Sequence, residues 1–216
     1  LHACCHNPTG ADLSHAQWRE VADVLNRRGA LPFLDLAYQG FGDGLEDDAY
    51  SVRLIAENCP EAVIAVSCSK NFGVYRDRVG ATLVLGETPA AADLALARLS
   101  RLARGMWSMP PDHGAAVVGR VLGEPALAAL WRDEVETMRK RMVGNRRKLA
   151  DALARETGSG RFEFIAAQKG MFSMLGLTPA QVGALREKHH IYMPGDSRIN
   201  VAGLGDANID FVAKSV

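Results

Sequence analysis

The hydrophobic pattern of the first half of the chain alternates between helices and strands. Apolar residues recur at helical spacing over residues 14–28, where Ser14 is a candidate N-cap and Gly29 a candidate C-terminal stop. Short apolar runs typical of buried strands occupy residues 31–38, 62–67 and 79–85, and a helical pattern occupies 52–58. Strands that alternate with helices predict an α/β fold with a mainly parallel sheet.

The second half is dominated by one long helical pattern. Apolar residues recur about every 3.6 residues through most of 125–157, and a helix of more than about 25 residues needs a special reason. The heptad is not strict, so we favour a connector between domains over a coiled coil. A further helix is predicted at 89–104, followed by a break at Met109-Pro110-Pro111, and strands at 161–175 and 191–201 flank a helix at 179–189.

These patterns predict three parts of the chain. Residues 1–125 form part of a large α/β domain, residues 126–157 form the connecting helix, and residues 158–216 form a small, truncated α+β domain. The chain opens with Leu1 instead of Met inside a predicted strand and ends inside a predicted helix, which suggests a fragment.

Composition narrows the function classes. The 216 residues carry 25 basic and 25 acidic side chains, so the net charge of zero argues against a nucleic-acid surface or a polybasic membrane segment. No apolar run approaches the ~20 residues of a membrane span, and no secretory signal is visible. Four cysteines are too few for a disulfide scaffold, which favours a reducing cytoplasm.

Lys70 is the candidate nucleophile. It follows the predicted strand 62–67 in the segment SCSKNFG, and catalytic groups in α/β sheets gather beyond the carboxyl ends of strands. A partly desolvated lysine there can attack carbonyls, whereas an ordinary lysine is a solvated surface charge. Ser67, Ser69 and Arg78 could bind a phosphate, although Arg78 could equally form a surface ion pair with Asp77.

Three further polar residues lie at the ends of predicted strands. Asp35 interrupts an apolar strand that we expect to be buried on both faces, so it is either a hydrogen-bonded core carboxylate or the partner of a protonated ring nitrogen. Tyr38 is either a packed tyrosine or a ligand contact, and Asn7 is either a turn residue or a ligand contact. A lysine that forms a Schiff base and a carboxylate that pairs with a ring nitrogen are the two groups that a protein supplies for pyridoxal-phosphate chemistry.

Other constellations are weaker. His2 and the run Cys4-Cys5-His6 lack a second ligand cluster, so we expect no metal site. The segment Gly40–Gly44 lacks the strand-to-helix context of a nucleotide loop.

Five separated motifs carry a family resemblance over essentially all of the chain: HNPTG, DLAYQGF, SCSKNFGVYRDRVG, GMFSMLGL and SRINVAGL. In this order and at these spacings they resemble the C-terminal portion of the fold-type-I pyridoxal-phosphate aminotransferases, in the aspartate/aromatic family and closest to its aromatic branch. The resemblance implies a cytoplasmic homodimer that uses pyridoxal 5'-phosphate. It would exchange an amino group between aromatic or acidic L-amino acids and 2-oxo acids such as 2-oxoglutarate.

The resemblance also implies the role of each cofactor-side residue. Lys70 would form the Schiff base and move the proton, and Asp35 would pair with the ring nitrogen. Asn7 and Tyr38 would contact the ring oxygen. The phosphate would be held by Ser67, Ser69 and Arg78.

On the substrate side, the resemblance implies that Arg198 grips the α-carboxylate, with Phe172 and Asn7 lining the site. Arg104 would be offered across a dimer interface to an acidic side chain. From the residues alone, Arg198 could be a surface arginine and Arg104 a helix-end cation. The chain departs from the family at Trp107 and Met109 and in residues 192–197, where the family commonly has Ser-Gly-Arg. The family's N-terminal half, with its phosphate loop, has no counterpart here. Aspartate aminotransferases share most of these motifs, so one alternative is an aspartate aminotransferase. The missing half leaves a non-catalytic fragment as the other alternative.

Overall fold

The computed structural model describes all 216 residues. Its helices are α1 (His15–Arg28), α2 (Tyr50–Asn58), α3 (Pro89–Trp107), α4 (His113–Gly123), α5 (Pro125–Thr157), α6 (Phe164–Ala167), α7 (Pro179–His189) and α8 (Ile209–Ser215). Its strands are β1 (Phe33–Leu36), β2 (Ala62–Ser67), β3 (Gly80–Leu85), β4 (Phe172–Met174) and β5 (Arg198–Asn200). None of the helices combines the length and apolar character needed to cross a membrane.

The first sheet has the order β1-β2-β3. Strands β1 and β2 are parallel, with Asp35 opposite Ala65, and α2 lies in the crossover between them. An isolated parallel bridge joins His2 to Asp35 on the other side of β1. Strand β3 runs antiparallel to β2, so the sheet of this chain combines one parallel and one antiparallel strand pair.

Helix α1 illustrates how local sequence determines an element. Ser14 and Gln17 form a reciprocal capping box at its start, and Gly29 ends it in the left-handed conformation at φ 58°. Trp18 and Ala22 form the buried stripe that faces the core. The predicted helix at 14–28 is therefore confirmed to within one residue.

Strand β1 corrects one expectation. We expected it to be buried on both faces, but Leu34 and Leu36 are buried whereas Phe33 and Asp35 are exposed. Alternate side chains of a strand point to opposite faces, and the buried face joins Ala22 of α1 and Ile55 of α2 in one core. The Asp35 side chain is therefore not a buried core carboxylate.

Helix α5 has the predicted bounds and contributes to two separate hydrophobic cores. Val135 and Met142 pack in the core that contains the first sheet, and Leu149 and Leu153 pack in the core formed by the last third of the chain. Near the start of α5, the Leu130 side chain is 57% exposed and belongs to neither core. The domain boundaries at 125 and 157 stay a prediction.

The last third of the chain differs most from the predicted elements. The expected strand at 161–175 is largely a 3-10 turn and α6, with only Phe172–Met174 extended, and the expected strand at 191–201 is reduced to Arg198–Asn200. Helix α7 has the predicted bounds, with Thr178 and Gln181 forming its capping box. Helix α4 was not predicted.

Candidate active site

The structure brings three of the predicted residues into direct contact. The Asn7 side-chain amide donates to the Tyr38 phenol oxygen at 3.3 Å. The Lys70 Nζ lies 4.7 Å from the centroid of the Tyr38 ring. These residues come from the loop after His2, the end of β1 and the loop after β2, so the ends of neighbouring strands place them together as the sequence predicted.

Two residues from the last third of the chain complete this cluster. The Arg198 guanidinium donates to the Asn7 Oδ1 at 3.0 Å and lies 5.3 Å from the centre of the Phe172 ring. The Phe172 ring in turn meets the Tyr38 ring edge-on, with centroids 6.2 Å apart. Residues separated by 191 positions therefore share one site. We call the set Asn7, Tyr38, Lys70, Phe172 and Arg198 the central cluster.

The cations of the central cluster have no acidic partner. Neither Lys70 nor Arg198 takes part in an ion pair, although both are partly buried. Arg198 uses one terminal nitrogen on Asn7, and its remaining side-chain donors have no protein acceptor. A partly buried guanidinium with free donors is suited to bind a carboxylate in a planar fork.

The Tyr38 phenol is tuned by its surroundings. Burial raises the pKa of Tyr38, the hydrogen bond from Asn7 opposes that rise, and the charges of Asp35 and Arg198 act in opposite directions. At neutral pH the phenol is therefore protonated and can donate a hydrogen bond.

Asp35 lies near the central cluster but is not hydrogen-bonded to it. Its charge acts on the pKa values of both Tyr38 and His2, while its backbone is held by Leu1 and Ala3. Burial and the neighbouring His6 lower the pKa of His2. The exposed Asp35 carboxylate is thus free of a protein partner at this edge of the sheet.

The predicted phosphate residues lie around one end of β2. The Ser67 hydroxyl accepts from the Ser69 backbone N–H at 3.2 Å, and Ser69 is 5% exposed. Arg78 lies two residues before β3, whose first residue, Gly80, pairs with Ser67, and its guanidinium donates to the Tyr75 carbonyl at 3.0 Å. The fold therefore places the backbone of Arg78 beside this end of β2, and no hydrogen bond joins the Arg78 side chain to either serine.

Arg104 is not part of the central cluster. It is exposed near the end of α3, a helix without a buried residue, and it makes no side-chain hydrogen bond or ion pair. Asp77 pairs with His113 at 2.8 Å instead of with Arg78.

Trp131 is a supporting residue that the sequence did not indicate. Its indole N–H donates to the Asn71 carbonyl at 2.7 Å, and its ring stacks on Phe72 at 4.5 Å between centroids. Asn71 also donates from its side chain to the Gln39 carbonyl at 3.2 Å. The loop that carries Lys70 is thereby fastened both to α5 and to the segment that follows Tyr38. An apolar stripe was the only signal for Trp131, and it does not distinguish this role from core packing.

Arg146 is a second residue that the sequence did not reveal. It is 1% exposed in α5 and has no acidic partner, and its guanidinium donates to four carbonyls between residues 165 and 172 and to the Ser173 hydroxyl. Burial lowers the pKa of Arg146 to about 10. This arginine holds the segment that carries Phe172 against α5, whereas a lone arginine in a sequence is ordinarily read as a surface charge.

A buried grouping of Cys4, Cys5 and Asp48 also emerges, with potential ligand atoms within 4.8 Å of one another. Both oxygens of Asp48 already accept backbone N–H groups from residues 40–43. These bonds oppose the rise that burial causes in the pKa of Asp48. The carboxylate therefore has a structural role in holding this loop.

A cavity of about 380 Å³ opens beside Arg198. Its wall is mostly apolar and includes Phe172, Ile191, Tyr192, Met193 and Leu204. An apolar wall next to an unpaired guanidinium suits a ligand that has both a carboxylate and an apolar portion.

Comparison with known proteins adds independent observations. The family described as aminotransferase class I and II matches residues 1–216. An aromatic-amino-acid aminotransferase of Pseudomonas aeruginosa is 51% identical over 216 residues, which are 100% of this chain and 54% of the relative. An aspartate aminotransferase of the same organism is 43% identical over 216 residues, again 100% of this chain and 54% of its own length.

Solved structures agree with these relatives. An aromatic-amino-acid aminotransferase from Burkholderia pseudomallei, described as covalently bound to pyridoxal phosphate, superposes with a TM-score of 0.96 at 46% identity and covers 100% of this chain and 54% of that one. The chain thus spans about half the length of the relatives it matches. The matches confirm the resemblance and the fold-type-I α/β fold that the five motifs predicted.

Proposed function

The chain belongs to the class I and II aminotransferase family, and from this premise we propose that its protein exchanges an amino group between aromatic or acidic L-amino acids and 2-oxo acids such as 2-oxoglutarate. The single observation that carries the proposal is the central cluster, in which a lysine without an ion-pair partner and an arginine without an ion-pair partner converge on Asn7 and Tyr38. A transaminase needs both an amine that attacks a carbonyl and a grip on the α-carboxylate.

The donor set fits pyridoxal 5'-phosphate as the cofactor. Lys70 supplies the amine, the Asn7 amide and the Tyr38 phenol supply donors for a ring oxygen, and Asp35 supplies an acid without a protein partner. When bound, such a cofactor supplies an aldehyde that takes up amines and a cationic ring that withdraws electrons from the substrate.

Each residue then has a defined task. The Lys70 amine would hold the cofactor covalently in the absence of substrate, and the free amine would move a proton to or from the substrate Cα. Asp35 would keep the ring nitrogen protonated through charge pairing. Tyr38 and Asn7 would orient the ring by hydrogen bonds. Ser67, Ser69 and Arg78 would hold the phosphate.

Substrate selection depends on Arg198 and the apolar wall beside it. Arg198 binds the α-carboxylate in a planar fork while Asn7 keeps the guanidinium in place. Phe172 lies against the guanidinium and limits the space for the substrate side chain. Arg104 is proposed to serve an acidic side chain in the site of the second subunit of a homodimer, which agrees with its exposure near the end of α3, a helix without a buried residue.

Two alternatives are retained. Relatives named aspartate aminotransferase match the whole chain, so an aspartate-selective enzyme is the first. A non-catalytic fragment is the second, because the chain spans about half of its relatives.

The test begins with covalent labelling. The complete protein is incubated with pyridoxal 5'-phosphate, reduced with borohydride and digested, and the expected result is a cofactor adduct on Lys70 that is absent from a Lys70→Arg variant. Near-normal transamination by Lys70→Ala would contradict the assignment. Initial rates with phenylalanine and with aspartate as donors separate the aromatic from the aspartate alternative. The 216-residue chain alone, labelled in the same way, tests the fragment alternative.

A further inference from the structure

Ser197 stands in an unfavourable backbone conformation directly before Arg198. Its φ is 65°, in the left-handed region that side chains other than glycine rarely adopt. It is also fully buried, with an exposed fraction of 0%. A strained and buried residue persists only where the surrounding contacts hold it in place.

The contacts that hold Ser197 come from the loop that follows β4. Its hydroxyl oxygen accepts the backbone N–H groups of Gly176 at 3.0 Å and of Leu177 at 3.2 Å. Its own carbonyl accepts the Leu175 N–H at 3.1 Å, and its N–H donates to the Pro194 carbonyl at 3.0 Å. The hydroxyl is the acceptor for both loop N–H groups, which would otherwise be left without a partner.

The orientation of Arg198 follows from this attachment. Arg198 begins β5 opposite Met174, one residue beyond Ser197. From that start its side chain reaches Asn7 and the Phe172 ring. We propose that Ser197 is a positioning residue, whose paired hydrogen bonds to the β4 loop hold Arg198 in the orientation that binds a substrate carboxylate. This inference rests on the proposed function of Arg198.

The chemistry of serine explains why this residue type suits the position. Glycine would adopt the positive φ without strain but would offer no acceptor to Gly176 and Leu177. Alanine would retain the strain and also lack the acceptor. A serine hydroxyl supplies the acceptor while the backbone of β5 stays in register. Both substitutions should therefore loosen Arg198, although they affect the backbone in opposite ways.

The experiment measures carboxylate binding separately from activity. The complete protein, loaded with pyridoxal 5'-phosphate, is titrated by calorimetry with 3-phenylpropionate and with the uncharged amide 3-phenylpropanamide. The two ligands differ in the negative charge that Arg198 recognises. Ser197→Ala and Ser197→Gly are compared with Thr178→Ala, which removes the cap of α7 next to the same loop without touching β5.

The expected result is a rise of about tenfold in the Kd for the acid in both Ser197 variants, the size expected when a charge-assisted contact is loosened. The Kd for the amide and the cofactor absorbance should stay unchanged, and Thr178→Ala should behave as the unaltered protein. The Ser197 proposal is overturned if Ser197→Gly binds the acid normally, if acid and amide weaken equally, or if Thr178→Ala shows the same selective loss. Ser197→Gly decides the matter if Ser197→Ala does not fold.

A different outcome would refute the proposed function itself. If the unaltered protein binds the acid no better than the amide, Arg198 does not hold the carboxylate, and the role of Ser197 fails with it. If the unaltered protein prefers the acid but the Ser197 variants show no selective loss, the role of Ser197 fails while the role of Arg198 stands.

Discussion

Replacing Arg146 with methionine tests whether one buried cation holds the segment of Phe172 in place. Methionine has a similar length and is apolar, so Arg146→Met removes the charge and the donors while filling much of the same space. Four carbonyls between residues 165 and 172 then lose a donor, two in fully buried bonds and two in partly buried ones.

The magnitude follows from two opposing contributions. Each fully buried carbonyl left without a donor costs about 1–3 kcal/mol, and each partly buried one costs about 1 kcal/mol, which gives about 6 kcal/mol. Against this, burial lowers the pKa of Arg146 to about 10. At about 1.4 kcal/mol for each pH unit, the lowering of this pKa from 12.5 to about 10 means that the folded state regains about 3–4 kcal/mol when the charge is removed. The expected net loss is about 2–3 kcal/mol of unfolding free energy.

Urea unfolding followed by circular dichroism measures this loss as a decrease of about 1 M in the midpoint. Arg147→Met is the matched control, because Arg147 is the next residue of the same helix, is exposed and makes no ion pair. Its effect should stay within about 0.5 kcal/mol. Equal midpoints for the two variants would refute the reasoning. Arg146→Lys keeps the charge with fewer donors and should fall between the two.

Three further predictions concern other contacts. In urea unfolding, Gly10→Ala should destabilise the protein by about 1–3 kcal/mol more than Gly29→Ala. Both glycines have a positive φ, but only a Cβ added at Gly10 would meet a β4 carbonyl, that of Phe172 at 2.5 Å. Equal losses of stability would contradict this prediction. Trp131→Phe keeps the stacked ring but not the donor to Asn71, so about 1 kcal/mol should be lost, and an unchanged midpoint would show that the bond is unimportant. Folding lowers the pKa of His2 from 6.5, so the unfolded chain binds more protons than the folded chain and the protein loses stability as the pH falls from 6.5 through the lowered pKa. His2→Asn should weaken this loss of stability between about pH 7 and 5. An identical pH profile for the variant would show that His2 does not contribute to the loss.

The elements that the sequence predicted well carry their signals locally. Ser14, Gly29 and the apolar spacing between them suffice to place α1, and Thr178 with Pro179 does the same for α7. The ends of the first strands likewise predicted that Asn7, Tyr38 and Lys70 would meet.

The elements that were predicted wrongly depend on distant residues. The segment 161–175 has the apolar composition of a strand, yet its carbonyls turn toward the Arg146 guanidinium on α5, and only Phe172–Met174 remains extended. The exposure of Asp35 likewise depends on which face of β1 is covered by helices, and a continuous apolar run does not reveal that. The hydrophobic pattern reports on a residue and its neighbours in the sequence, whereas the structure of residues 161–175 and the exposure of Asp35 depend on contacts with distant parts of the fold.

Because Val135, Met142, Leu149 and Leu153 belong to one unbroken helix, a continuous ladder of backbone hydrogen bonds connects the two cores. A cut between Met142 and Leu149 would interrupt that ladder and separate the two cores. We expect heat or urea to melt both cores in a single transition, and a rotation of α5 against one core would turn the Arg198 side of the site relative to the Lys70 side.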